Sequence, residues 1–239
     1  NDIDLTEDTH DGGKYSLESV ICPQGFGWEA INGFSGSLDG KGHTIKGLYQ
    51  NNYITCNEEK ETWIEWNNGG NGLFGSMKKN ATVKNLVLED FDITCQGGDC
   101  GALVSKYIGN MNDSGNINYS DHTEYTATFE NIAIKNGKVK GIYNSHNSGD
   151  YKKSYGGGLF GNMNSFYGNI NISNIYLDID ISPDGFANIG YLAYIIETSR
   201  SIIINNIRLN GELQKDNQQG ILINNYSGGT VENINNIVS

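Results

Sequence analysis

Two pairs of carboxylates are the first candidates for chemistry. Asp90 and Asp92 stand two residues apart with Glu89 beside them, and Asp178 and Asp180 repeat the spacing in a later segment. Alternate positions of a strand share a face, so the two pairs could form an acidic stripe. Cleavage of a glycosidic bond needs two facing carboxylates about 5–9.5 Å apart. One reading is therefore a carbohydrate-active site of lyase or hydrolase type. The other is a solvated acidic face, ordinary in a chain of net charge −12. A lyase would also need a basic partner, and the two arginines, Arg200 and Arg208, lie far on in the chain.

Aromatic side chains are the second lead. Tyr119, Tyr125, Tyr143, Tyr151 and Tyr155 lie in or beside two polar, unpatterned stretches, 106–128 and 141–156, while Trp63 and Trp66 sit in a modest loop over 50–70. Flat amphipathic rings suit sugars or protein surfaces at low entropic cost. The same tyrosines could instead cover the flank of a core. These seven residues are the candidate ligand contacts.

Other chemistry is thin. His43 follows the turn signal Asp39-Gly40-Lys41-Gly42 between two short strands, as in a hairpin, and reads as a turn histidine. His10, His122 and His146 fall in loops without a metal or triad pattern. Glycine runs open strands and not helices, so no phosphate-binding loop is expected. No catalytic residue, metal or cofactor is assigned. Cys95 and Cys100 could close a small corner loop, and Cys22 could pair with Cys56. An even count without histidine at ligand spacing favours disulfides over zinc; four buried thiols are the remaining reading. Five Asn-x-Ser/Thr sequons, at Asn80, Asn112, Asn118, Asn171 and Asn225, are attributed to the abundance of asparagine.

Charge narrows the partners. Lys and Arg total 16 against 28 Asp and Glu, so nucleic-acid binding by clustered cations is not expected, nor attraction to anionic membranes. No apolar run of about 18 residues is present, so no membrane-spanning helix is expected. Asn1 precedes what reads as an ongoing strand, Ile3-Asp4-Leu5, and the last residues read as another. The expectation is a portion of a longer protein.

The elements that must position these residues come from a repeat. Gly72-Leu73-Phe74-Gly75 returns as Gly101-Ala102-Leu103-Val104, Gly157-Gly158-Leu159-Phe160-Gly161, Gly190-Tyr191-Leu192-Ala193 and Gly220-Ile221-Leu222-Ile223. The leucines are 30, 56, 33 and 30 residues apart. Alternating apolar residues follow each copy around Asn85, Asn131, Asn174, Asn206 and Asn233. The period is that of a strand with one buried face. Each unit is too small for its own core, so like must stack on like. Gly47-Leu48 reads as an earlier member of the asparagine column. The asparagines serve either as left-handed corners or as a hydrogen-bonded ladder. The 56-residue step is one unit carrying two insertions, of roughly 15 and 10 extra residues, that lie within 106–128 and 141–156.

The opening Asp2-Ile3-Asp4-Leu5, a tryptophan, and Phe34-Ser35-Gly36-Ser37-Leu38-Asp39-Gly40-Lys41-Gly42-His43-Thr44-Ile45-Lys46-Gly47-Leu48, followed by the GLFG, GALVS and GGLFG copies, resemble the GLUG-motif β-helix domains of bacterial adhesins, IgA-protease-like proteins and autotransporter passengers. The resemblance implies an all-β, right-handed, single-stranded parallel β-helix over 1–239, with about six rungs of roughly 30 residues. It divides into an N-terminal rung with loops over 1–70 and repeats over 71–239. It implies a secreted or cell-surface module without catalytic residues, binding a host-cell surface protein or glycan through its loops. A β-helical carbohydrate-active enzyme, or a pure spacer beside a protease or toxin domain, is the alternative.

Overall fold

The computed structural model describes residues 2–4, 16–17, 20–21, 27–51, 53–55, 63–65, 70–96, 98–112, 116–142, 154–165, 167–182, 186–198, 200–210, 219–220, 223–227 and 230–235. Among them every regular element is a strand. The N-terminal part supplies β1 (Ile3–Asp4), β2 (Ser16–Leu17), β3 (Val20–Ile21), β4 (Ser37–Asp39), β5 (Thr44–Lys46), β6 (Tyr49–Asn51), β7 (Tyr53–Thr55) and β8 (Trp63–Glu65). Then come β9 (Phe74–Lys78), β10 (Thr82–Glu89), β11 (Asp92–Gln96), β12 (Gly98–Cys100), β13 (Val104–Ile108), β14 (Thr126–Ile142) and β15 (Ser154–Gly157). The series continues with β16 (Phe160–Ser165), β17 (Asn169–Ser182), β18 (Phe186–Gly190), β19 (Ala193–Thr198), β20 (Ser201–Asn210), β21 (Gln219–Gly220), β22 (Ile223–Ser227) and β23 (Thr230–Asn235).

Three parallel sheets take these strands in strict rotation. A five-stranded sheet holds β9, β13, β16, β19 and β22 in order; a long sheet runs β5, β10, β14, β17, β20, β23; a short sheet holds β12, β15, β18 and β21. The chain visits the five-stranded, the long and the short sheet in that sequence, then returns one strand further along each. Leucines at the entry to the five-stranded sheet hydrogen-bond to one another through their backbones. The Leu103 amide donates to the Leu159 carbonyl and the Leu159 amide to that of Leu192, at 3.1 and 3.2 Å. Leu73, Leu103, Leu159 and Leu192 are all buried in one core cluster; Leu222 lies outside the described residues.

The long sheet shows why the asparagine motif alternates as it does. In β14, Ala127 and Phe129 point inward, then Ile132 and Ile134, then Val139. Two neighbours face outward together at 130–131 and again at 135–136. Each break is an extra residue with positive φ, +54° at Asn131 and +50° at Asn136. Asparagine tolerates that left-handed conformation best among residues with a side chain. Asn85, Asn174 and Asn206 have the same φ.

Several expectations are corrected. Gly47 lies under Asp90, not Asn85, because the Gly47 amide donates to the Glu89 carbonyl, while the Gly40 amide donates to Lys84. The Gly40–His43 turn is not a hairpin: β4 and β5 both pair in parallel with β10. The turn is an excursion from one strand path, placed where β10 bends at Asn85. The loop assigned to 50–70 contains a small antiparallel ribbon, β7 with β8, which carries Trp63. The strands continue into the ends of the two polar stretches: 106–108 belong to β13 and 126–128 to β14, while 141–142 close β14 and 154–156 open β15. Polar outward positions in these strand ends had hidden the alternation.

Candidate functional site

Outward side chains of the long sheet form columns one strand spacing apart, about 4.8 Å. The asparagines make a ladder: Asn131 donates to Asn85, Asn174 to Asn131 and Asn206 to Asn174, at 3.0, 2.9 and 2.7 Å. Asn85 in turn donates to Asp39 at 2.9 Å. That bond, joined by the Lys41 amide and Lys84, holds the Asp39 carboxyl below its usual range. The ladder uses one N–H and one lone pair of each internal carboxamide, leaving one of each to face out.

Beside the ladder runs the column Val87, Ala133, Tyr176, Arg208, fixed by strand register. Its second member, Ala133, is the smallest. The result is a groove of about 590 Å³ over Val87 and Ala133, bounded by Lys41 and Gly42 at one end and Tyr176 at the other. The Arg208 guanidinium lies 5.7 Å from the centre of the Tyr176 ring, a cation–π distance.

Asp178 and Asp180 stand at alternate outward positions of β17 on either side of buried Ile179, whereas a corner breaks the strand spacing between Asp90 and Asp92. Asp90 is a corner residue with φ of +51°, outside any strand, so its side chain is not on the face of Asp92. It binds Lys46 at 3.1 Å and accepts a hydrogen bond from Asn136. Asp178 accepts one from Asn210 at 3.0 Å. Asp92 and Asp180 do share a column, but Lys138 stands between them in register. Among the described residues no group of three His, Cys, Asp or Glu could hold a metal ion.

One carboxyl departs from this surface pattern. Asp99, on β12, is pushed up to about 6 by burial, only partly offset by Lys106 and an Asn162 hydrogen bond. Cys95 and Cys100, which flank it, are disulfide-bonded; Cys22 and Cys56 lie outside the described residues.

The aromatic candidates are scattered in environment. Tyr119 is 66% exposed on the first insertion. Tyr125 is buried at the base of that loop, its hydroxyl donating to Asp121 at 2.6 Å. The backbones of Trp63 and Tyr155 lie in β8 and β15. Trp66, Tyr143 and Tyr151 lie outside the described residues. The first insertion is a built loop: Asn112, Asn118 and Asp121 each accept a nearby backbone amide, and His122 stacks on Tyr167 at 4.6 Å. His43 contacts Asp2 at 3.2 Å, and the Thr44 amide donates to the same carboxylate, so its role is to tie down β1.

Tyr176, Arg208 and Ala133 were not singled out from sequence. The signal was the residue two places after each asparagine, which reads Val87, Ala133, Tyr176, Arg208.

No family model matches the chain, and no solved structure matches it. Over an alignment of 102 residues that covers 39% of the chain, it is 34% identical to a protein of Evansella cellulosilytica named as a Gly-rich membrane protein. The chain spans about 10% of that relative's length.

Proposed function

We propose that the chain is a right-handed parallel β-helix serving as a rigid, non-enzymatic display module of a secreted or surface-attached bacterial protein, with recognition carried by its corner loops. The carrying observation is the rotation of the chain through three parallel sheets with like residues in register. Parallel crossovers within a sheet are nearly always right-handed, which favours that hand. Repeats that contact only their neighbours make stiff spacers, and loops on such a scaffold are where binding residues collect.

The two departures from the repeat leave opposite ends of β14, after β13 and before β15. Both insertions would thus present side chains from one layer, with Tyr119, His122 and Tyr167 at the first of them. The Cys95–Cys100 disulfide fits an oxidising compartment, and the similarity to a protein named as a membrane protein fits a surface setting. The partner is a host protein or glycan. Replacing 110–124 by a short turn tests this reading. The variant should keep its β-sheet circular dichroism and lose cell adhesion; unchanged adhesion would refute loop-borne recognition.

A further inference from the structure

We infer that the groove on the long sheet is a second binding site, separate from the corner loops, and that its ligand is a linear glycan bearing carboxylates. The shape comes first. Ala133 leaves a depression between Val87 and Tyr176, and the groove crosses the strands from Lys41 to Tyr176. Three strand spacings separate those ends, or about 14 Å, the reach of a short oligosaccharide and more than one ring. Two features suit a sugar chain. Tyr176 supplies an aromatic flank whose ring is held by Arg208. The carboxamides of Asn85, Asn131 and Asn174 line one side, each internal one with a donor and an acceptor left over from the ladder. Hydroxyls repeated along a polymer match groups repeated along a groove.

Charge selects the class. The chain carries 28 acidic residues against 16 basic ones, yet no carboxylate lines this groove and Lys41 does. Of the nearby acids, Asp39 pairs with Lys84 at 3.6 Å, while Glu89 stands in register between Lys46 and Lys135 and Glu130 in register with Lys84. Lys41 at one end and Arg208 beyond the other have no ion pair among the described residues. Lys41, and Arg208 stacked over the Tyr176 ring, bracket a neutral groove with amides along one side, and so complement carboxylates spaced along a chain.

The site does not depend on the loop reading, and its test is separable from it. The intact chain is titrated calorimetrically with oligogalacturonate, a hyaluronan tetrasaccharide and sialyl-lactose, and with cellotetraose and lactose as uncharged controls. At least one acidic sugar should bind, at least tenfold more tightly than the controls and more weakly as salt rises. Lys41→Ala and Arg208→Ala should each lower affinity about tenfold, and Ala133→Trp, which fills the floor, should abolish binding. The outward position of Ala133 spares the core, and an unchanged melting temperature checks that. Excision of 110–124 should leave this binding intact. Equal binding of uncharged sugars, no binding of any acidic sugar, or full affinity in Ala133→Trp would each overturn the proposal.

Discussion

Two kinds of position turn the chain in each repeat, and they solve different backbone problems. Along the long sheet the bend needs a left-handed φ, and asparagine supplies it at 85, 131, 174 and 206. At Gly157 and Gly161, beside the five-stranded sheet, φ is ordinary, but there is no room for a side chain. A Cβ on Gly157 would lie 1.9 Å from the Phe160 carbonyl oxygen, and one on Gly161 2.3 Å from that of Ser105. The first position rewards a small polar side chain that can reach the next layer. The second tolerates none. Asparagine and glycine, often grouped as turn formers, are therefore not exchangeable here.

The largest effect should come from the crowded position. Gly157→Ala forces backbone apart in two layers, since Phe160 and Ala193 both stand within 3 Å of the new carbon. A loss of about 3 kcal/mol or more is expected in urea denaturation. Gly36→Ala, whose nearest neighbour is a Phe34 ring at 3.6 Å, should be nearly neutral. Equal losses at both would erase the distinction.

Next is Asp99, half-buried on β12. Its carboxyl is raised to about 6 from 3.8, so in that interval the folded state holds more protons than the unfolded one. Its contribution to stability is greatest below pH 4 and falls as pH rises through 6. The penalty at pH 7 is roughly 2–3 kcal/mol. Asp99→Asn should remove that slope, read as the difference between variant and parent across pH 4–7.

The left-handed corner should cost less. Asn131→Ala loses tolerance of positive φ and two ladder bonds, about 2 kcal/mol together. Asn131→Gly restores the backbone freedom and should recover about half. If the glycine variant matches the alanine one, the ladder and not φ sets the value of the corner. The smallest effect is on the charge column, where Lys138 faces Asp92 and Asp180. Lys138→Glu should cost under about 1 kcal/mol, and 1 M salt should remove most of it.

The sequence made the leucine file and the asparagine column legible because each keeps one residue type at a nearly fixed period. It did not reveal the second corner column, Asp90, Asn136, Asp178 and Asn210. That column mixes acid and amide, and β17 lacks one residue there, so the register shifts between Ile134 and Gly137. The misplaced Gly47 has the same origin, since glycine carries no side chain to say which corner it occupies. The short sheet was invisible, its strands β12 and β21 having three and two residues. The acidic pair at Asp90 and Asp92 was read as one face because strand spacing was assumed across a corner. The groove escaped notice because its decisive feature, Ala133, is the absence of bulk.

Layer-to-layer register is the claim on which the fold, the ladder and the groove all stand, and a cysteine pair tests it directly. Ala133 and Tyr176 are opposite each other on adjacent strands although 43 residues apart, within the Cα separation a disulfide can span. Ala133→Cys with Tyr176→Cys should cross-link on mild oxidation, as mapped by peptide mass, while Ala133→Cys with Asp180→Cys should not. Cross-linking of the offset pair, or of neither, would contradict the stacked arrangement.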